Sequence, residues 1–129
     1  MIALDASAIL AVLHNELGSD KVIEMLCSED STMSTANYSE VRQKLAFNGL
    51  RPELADLLLD AADTSLVELT AAIARTTAEL HEHAPALSLA DRSCFAVARI
   101  FGARALTSDR IWARYAPTLG VEVDLIRAA

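Results

Sequence analysis

Four acidic residues stand where a predicted strand passes into a helix, or where a predicted helix begins. Asp5 follows the short apolar run Ile2–Leu4, and Asp109 follows a later apolar strand. Glu40 and Asp91 lie in the first turns of predicted helices. The carboxyl ends of parallel strands meet at one edge of a sheet, so we expect these carboxylates to approach one another. Hard divalent cations such as Mg²⁺ and Mn²⁺ take such oxygen ligands and remove the repulsion between them.

A cation at this edge would polarise a phosphoryl oxygen and lower the pKa of a bound water for in-line attack. Each acid also has a simpler local interpretation. Asp5 could cap the helix that follows it, Glu40 and Asp91 could complete capping boxes, and all four suit the positive field of a helix N-terminus. These local roles do not explain why two of the acids end buried strands. The pattern therefore favours a metal site and leaves helix capping open for each acid.

The hydrophobic pattern predicts five strands that alternate with helices. The predicted strands are 2–4, 31–35, 64–69, 103–107 and 121–126. The predicted helices are 7–15, 18–28, 37–48, 52–63, 70–83, 88–102 and 111–115. This alternation implies a parallel sheet with helices on both faces, which is a small three-layer α/β/α sandwich. A chain of 129 residues fits one domain, which we expect to span 1–129.

The composition restricts the class of protein. Hydrophobic residues make up 53% and aromatic residues only 5%, which indicates an aliphatic, alanine-rich core rather than disorder. Cys27 and Cys94 are too far apart to suggest a zinc site or a disulfide framework, so we expect reduced thiols in a cytoplasmic protein. We expect no signal peptide and no membrane span. The net charge of -7 argues against binding nucleic acid by bulk electrostatics, although acids that serve a metal account for part of it.

Four segments carry a resemblance to a known family. They are Ile-Ala-Leu-Asp-Ala-Ser at 2–7, Ser-Glu-Val at 39–41, Leu-Ser-Leu-Ala-Asp at 87–91 and Ala-Leu-Thr-Ser-Asp-Arg-Ile-Trp at 105–112. In this order, and over essentially the whole chain, they resemble PIN domains, most of all the VapC toxins of bacterial type II toxin–antitoxin pairs. The combination is specific, although no single segment is.

The resemblance implies a PIN-like fold and a metal-dependent endoribonuclease that cleaves RNA to 5′-phosphate and 3′-hydroxyl products. The acids that match the family's catalytic set are Asp5, Glu40, Asp91 and Asp109. All but Glu40 are expected to bind Mg²⁺ or Mn²⁺ directly, and Glu40 acts directly or through a water. Ser7 and Thr107 match hydroxyls beside the family's site, which orient carboxylates and water.

The resemblance also implies partners. The substrate would be RNA, a cognate antitoxin would inhibit the enzyme, and both a homodimer and a toxin–antitoxin hetero-oligomer are expected.

Three arginines next to these segments are candidates for RNA contacts. Arg42, Arg92 and Arg110 could hold phosphates beside the metal, although exposed helix arginines need no such role. Arg110 and Arg114 are one turn apart and form the best basic strip. Asn37 stands three residues before Glu40 and is expected to cap its helix.

Alternatives from other functional classes remain. A signalling receiver domain also places acids around Mg²⁺, but it needs a lysine after a late strand, and the last lysine here is Lys44. A phosphatase of the D-x-D type fails because Ser7 stands where the second Asp should be. Phosphate-binding glycine loops fail on the number and spacing of glycines. A non-catalytic binding module stays open, since it would tolerate loss of the acids.

Overall fold

Strands and helices alternate along the chain in the computed structural model, which describes residues 1–127; residues 128–129 of the predicted domain lie outside the described part. The strands of the described part are β1 (Ile2–Leu4), β2 (Ser31–Ser34), β3 (Ser65–Val67), β4 (Arg104–Thr107) and β5 (Val123–Leu125). The helices are α1 (Ala6–Leu13), α2 (Ser19–Ser28), α3 (Thr35–Phe47), α4 (Glu53–Ala61), α5 (Ala71–Leu80), α6 (Leu89–Phe101) and α7 (Ile111–Leu119).

The strands form one parallel sheet in the order β3-β2-β1-β4-β5. Successive side chains of β1 point to opposite faces. Ile2 and Leu4 pack into one core with α1 to α4, whereas Ala3 packs into a second core with α5, α6 and α7. All three side chains are buried, because helices cover the sheet on both sides. The three-layer α/β/α prediction is therefore confirmed.

The order of the strands defines the edge where a site can form. The chain runs outward from β1 through β2 to β3, and it then returns to the other side of β1 as β4 and β5. The direction of winding changes between β1 and β4, and ligands bind at such switch points, beyond the carboxyl ends of the strands. Leu4 is in register with Leu106, and the Asp5 backbone N–H donates to the Leu106 carbonyl at 3.0 Å. Asp5 and Thr107 therefore emerge side by side at this edge.

The start of α3 differs from the sequence prediction. The helix begins at Thr35, and its cap is Ser34, whose side chain accepts a hydrogen bond from the Asn37 backbone N–H. The prediction that Asn37 caps the helix was wrong, because Ser34 stands three residues earlier and offers the same kind of oxygen. Glu40 consequently lies in the second turn, and the capping box predicted for it is absent.

The last helix is longer than predicted. It runs from Ile111 to Leu119 and passes through Pro117, which lies beyond the predicted end of the helix at 115. Pro117 lies in the last turn of this helix, two residues before its end at Leu119. Gly120 then ends the helix in the left-handed conformation at φ +69°. None of the helices within residues 1–127 combines the length and the apolar character needed to span a bilayer.

Gly18, which directly precedes α2, lies very close to the backbone of Ile126. Gly18 has φ +97°, and a Cβ added there would lie 2.6 Å from the Ile126 carbonyl oxygen. At Gly120 a Cβ would meet none of the described atoms within 4 Å. We expect Gly18→Ala to lower the free energy of unfolding by about 2–4 kcal/mol and Gly120→Ala by about 1 kcal/mol, measured by urea denaturation. Equal losses would contradict the close contact at Ile126.

Candidate functional site

Asp5 is the centre of the candidate site. Its side chain lies directly after β1 and is buried, with 5% of the residue exposed. The Ser7 hydroxyl in the first turn of α1 and the Thr107 hydroxyl at the end of β4 each donate to its Oδ2 atom at 2.7 Å. Asp5 occupies the cap position of α1, yet its side chain makes no capping hydrogen bond. The interpretation of Asp5 as a simple helix cap was therefore wrong.

The two hydroxyls connect Asp5 to the loop after β4. Each hydroxyl gives its single proton to Asp5, so each can only accept from its other neighbours. Ser7 Oγ accepts from the Ser108 backbone N–H at 2.9 Å, and Thr107 Oγ1 accepts from the Asp109 backbone N–H at 3.0 Å. One hydrogen-bonded network thus fixes the Asp5 carboxylate and places the backbone of Asp109 at the same edge.

Burial and neighbouring negative charge disfavour the ionised form of the Asp5 carboxyl group. Burial is the largest cause that raises its pKa, which rises from 3.8 to about 6. The hydrogen bonds from Ser7 and Thr107 oppose this rise, and the charges of Asp91 and Glu40 add to it. Asp91 and Glu40 are therefore close enough to act electrostatically on Asp5. The structure thus brings three of the four predicted acids into one negative field.

Asp91 and Asp109 also perform the local roles that their positions suggested. The Ser88 side chain accepts from the Asp91 backbone N–H at 3.1 Å, and Asp91 Oδ2 accepts from the Ser88 backbone N–H at 3.2 Å. This reciprocal pair is a capping box at the start of α6. Asp109 Oδ1 accepts from the Ile111 backbone N–H at 3.1 Å, where α7 begins. Each bond occupies one of the two oxygens of its carboxylate.

The donors suit a hard cation by their chemistry, since every candidate ligand is a carboxylate oxygen. Within residues 1–127, however, no three acidic, histidine or cysteine side chains lie close enough together to hold an ion. Asp91 and Asp109 are turned toward the first turns of their own helices. Binding an ion between Asp5, Asp91 and Asp109 would therefore need these three side chains to come closer together.

Two of the three candidate arginines have partners within the protein. Arg42 donates to Asp56 at 2.6 Å, and this bond joins α3 to α4. The Arg42 guanidinium also lies over the Tyr38 ring. Arg92 donates to the Leu87 carbonyl at 3.3 Å.

A second bond from Arg92 reaches the Thr77 carbonyl at 2.9 Å and joins α6 to α5. Arg110 is exposed beside Asp109 at the start of α7. Its contact with an RNA phosphate stays a prediction.

Sequence reasoning missed the bridge that Asn37 makes. Its Nδ2 donates to the Ala90 carbonyl at 3.1 Å, so it joins α3 to α6 beside Asp91. The available signal was Ser34, because a serine three residues before Asn37 supplies the cap and leaves the amide without a capping role. No local pattern could identify Ala90 as the partner, since the two residues are 53 positions apart.

A sequence model of the PIN domain matches residues 2–117. The chain belongs to the PIN domain family. This PIN domain has no significant match among curated protein sequences. The matched range includes all of the acids discussed above.

Solved structures show the same fold. A toxin–antitoxin complex from Klebsiella pneumoniae matches with a TM-score of 0.79 and 13% identity, over 100% of each chain. VapC20 of Mycobacterium tuberculosis, a toxin that cleaves the sarcin–ricin loop, matches with a TM-score of 0.75 and 17% identity, over 88% of this chain and 94% of that one. VapBC2 of Rickettsia felis, bound to a promoter DNA fragment, matches with a TM-score of 0.70 and 13% identity, over 97% and 98%. At these identities the likeness establishes a shared fold.

The raised pKa of Asp5 gives a prediction for the protein in EDTA. The folded state holds the Asp5 proton more tightly than the unfolded state, so stability from this group is lost as the pH rises through about 6. The shift corresponds to about 3 kcal/mol. We expect Asp5→Asn to raise the thermal midpoint at pH 8 and to change it little at pH 4.5.

The matched control is Asp60→Asn, which removes one carboxylate from the exposed side of α4. Circular dichroism melting curves at both pH values would measure the effect. A destabilised Asp5→Asn protein at pH 8 would contradict the electrostatic account.

Proposed function

We propose that this PIN domain is a metal-dependent endoribonuclease and the toxin of a toxin–antitoxin pair. The observation that carries the proposal is the Asp5 carboxylate at the switch point of the sheet. It is buried, held by two hydroxyls and surrounded by the charges of Asp91 and Glu40. Carboxylates whose pKa is perturbed by burial and by neighbouring charges cluster at functional sites. The fold shared with VapC20, an RNA-cleaving toxin, supports the same assignment.

Each residue of the site has a role under this proposal. Asp5, Asp91 and Asp109 would hold Mg²⁺ or Mn²⁺, and the ion when bound supplies a polarised phosphate and a more acidic water. Ser7 and Thr107 fix the orientation of the Asp5 carboxylate through their hydroxyl protons.

Glu40 would complete the catalytic set. It is half-buried near Asp5 and would orient the attacking water or accept its proton. Hydrolysis would leave a 5′-phosphate and a 3′-hydroxyl, as the family chemistry implies.

The protein partner we propose is a cognate antitoxin, together with a second copy of the chain. The structure from K. pneumoniae that shares this fold is a toxin–antitoxin complex. Exposed apolar side chains on α2 and α4, such as Ile23 and Leu57, also favour a protein partner. An RNA-cleaving toxin of this kind would act in the cytoplasm, where its substrate is found.

A non-catalytic binding module is the second candidate. The observation that favours it is the arrangement of Asp91 and Asp109, which in the described part of the chain are bonded to helix N-termini rather than gathered at ligand distance. This candidate predicts that RNA or protein binding survives the loss of the acids.

The direct test is cleavage of total bacterial RNA by purified protein that is free of antitoxin. We expect discrete fragments with Mg²⁺ or Mn²⁺ and none with EDTA. Asp5→Asn and Asp91→Asn should lower the rate by at least about 100-fold, because each removes a charged ligand of the site. Asp60→Asn should cleave at the wild-type rate. No cleavage by the folded protein with either metal would favour the binding module.

Arg110 gives a test of how RNA reaches the site. Replacing its exposed guanidinium in Arg110→Gln should weaken RNA binding by roughly 3- to 10-fold at low salt and should reduce the dependence of binding on salt concentration. Arg75→Gln, which removes an exposed arginine of α5, is the control and should leave binding unchanged. Filter binding of a catalytically inactive Asp5→Asn background would measure the affinity. Equal RNA affinities of the two arginine variants would show that RNA does not contact Arg110 at the start of α7.

A further inference from the structure

Asn37 is a fully buried polar side chain that the proposed nuclease mechanism does not use. Its Oδ1 accepts the hydroxyl proton of Ser34, and its Nδ2 donates to the Ala90 carbonyl at 3.1 Å. The orientation of the amide is chemically fixed, because a carbonyl can only accept and must therefore face the NH₂ group. Both ends of the amide are thus committed to specific partners.

The bridge lies between the two helices that carry acids of the site. Ala90 is in the first turn of α6 and directly precedes Asp91. Asn37 is in the first turn of α3, three residues before Glu40, so the two lie on neighbouring positions of one helix face. Among the described residues, this is the side-chain hydrogen bond that joins α3 to α6. It therefore links the backbone that carries Glu40 to the backbone that carries Asp91.

Capping does not account for the amide. Ser34 already satisfies the free N–H at the start of α3, and Ser88 together with Asp91 does the same for α6. The Ser88 capping box fixes the Asp91 side chain relative to its own helix only. The position of α6 relative to α3 needs a contact between the helices, and Asn37 provides one with directional geometry.

The chemistry also explains why asparagine suits this position. An aspartate would keep the acceptor for Ser34 but would place a carboxylate against the Ala90 carbonyl. A leucine would fill the space but would leave the buried Ser34 hydroxyl without its partner. Asparagine has the required donor and acceptor without adding negative charge beside the Ala90 carbonyl.

We propose that Asn37 is a positioning residue that sets the distance between Asp91 and Glu40 at the metal site. This inference rests on the proposed nuclease function. Asn37 touches neither RNA nor metal in this role, and it acts through the Ala90 carbonyl and the backbone of α6. Loss of the bridge loosens the arrangement of the acids and leaves the surface that meets RNA unchanged.

The test measures Mn²⁺ binding to purified protein by electron paramagnetic resonance, which reports the free ion directly. We expect Asn37→Ala to weaken Mn²⁺ affinity by about 10- to 100-fold, as outer partners of metal ligands do. The kcat for RNA cleavage should fall while KM changes by less than about 2-fold, because substrate contacts are retained. Asn37→Ser, which keeps a short donor, should lie between Asn37→Ala and wild type.

The matched control is Thr77→Val. Thr77 is also buried, and its hydroxyl bonds to the Ile73 carbonyl within α5, a helix that carries none of the four acids. The variant loses a buried hydrogen bond of the same kind and should bind Mn²⁺ as wild type does. Urea unfolding of every variant shows whether the fold is retained.

The outcomes separate this proposal from the one on which it rests. Wild-type protein that neither binds Mn²⁺ nor cleaves RNA would overturn the nuclease assignment and the positioning role together. Wild-type binding combined with unchanged affinity in Asn37→Ala would overturn the positioning role alone. Loss of cooperative unfolding in both Asn37 variants would assign the residue to the fold only and would also overturn it.

Discussion

The structure depends on one arrangement, the Asp5 carboxylate held by the hydroxyls of Ser7 and Thr107 at the end of the central strand. Asp5 follows β1, Ser7 lies in α1 and Thr107 ends β4. These three side chains meet only when the sheet has its switch point between β1 and β4. The same hydroxyls accept the backbone N–H groups of Ser108 and Asp109, so the network also shapes the loop that leads to α7. Fold and candidate site are therefore joined through a few hydrogen bonds.

This arrangement destabilises the metal-free protein at neutral pH. Burial and the charges of Asp91 and Glu40 raise the pKa of Asp5, and the two hydroxyls offset only part of the rise. A cation that binds at such a site removes the repulsion between the negative charges, which makes its binding more favourable. Strained or destabilised groups of this type concentrate at functional sites, because function rather than stability retains them.

The sequence predicted those features of the fold and the site that depend on local patterns and on the order of the strands. The apolar run at 2–4 was enough to predict β1, and Asp5 was predicted from its position directly after that run. The resemblance added Ser7 and Thr107. What could not be predicted depends on how helices pack against one another. The partners of Arg42 and Arg92 lie on neighbouring helices, and so does the Ala90 carbonyl that Asn37 meets. Tertiary packing decides these contacts, and it gives both Arg42 and Arg92 partners on neighbouring helices.

We propose that Asp5 is a buried carboxylate whose charge is compensated by a bound cation. The most direct measurement is a ¹³C NMR titration of the Asp5 carboxyl carbon, in EDTA and again with saturating Mg²⁺. We expect a pKa of about 6 without the metal and a clear decrease with it. An ordinary aspartate pKa of about 4 that does not respond to Mg²⁺ would contradict it.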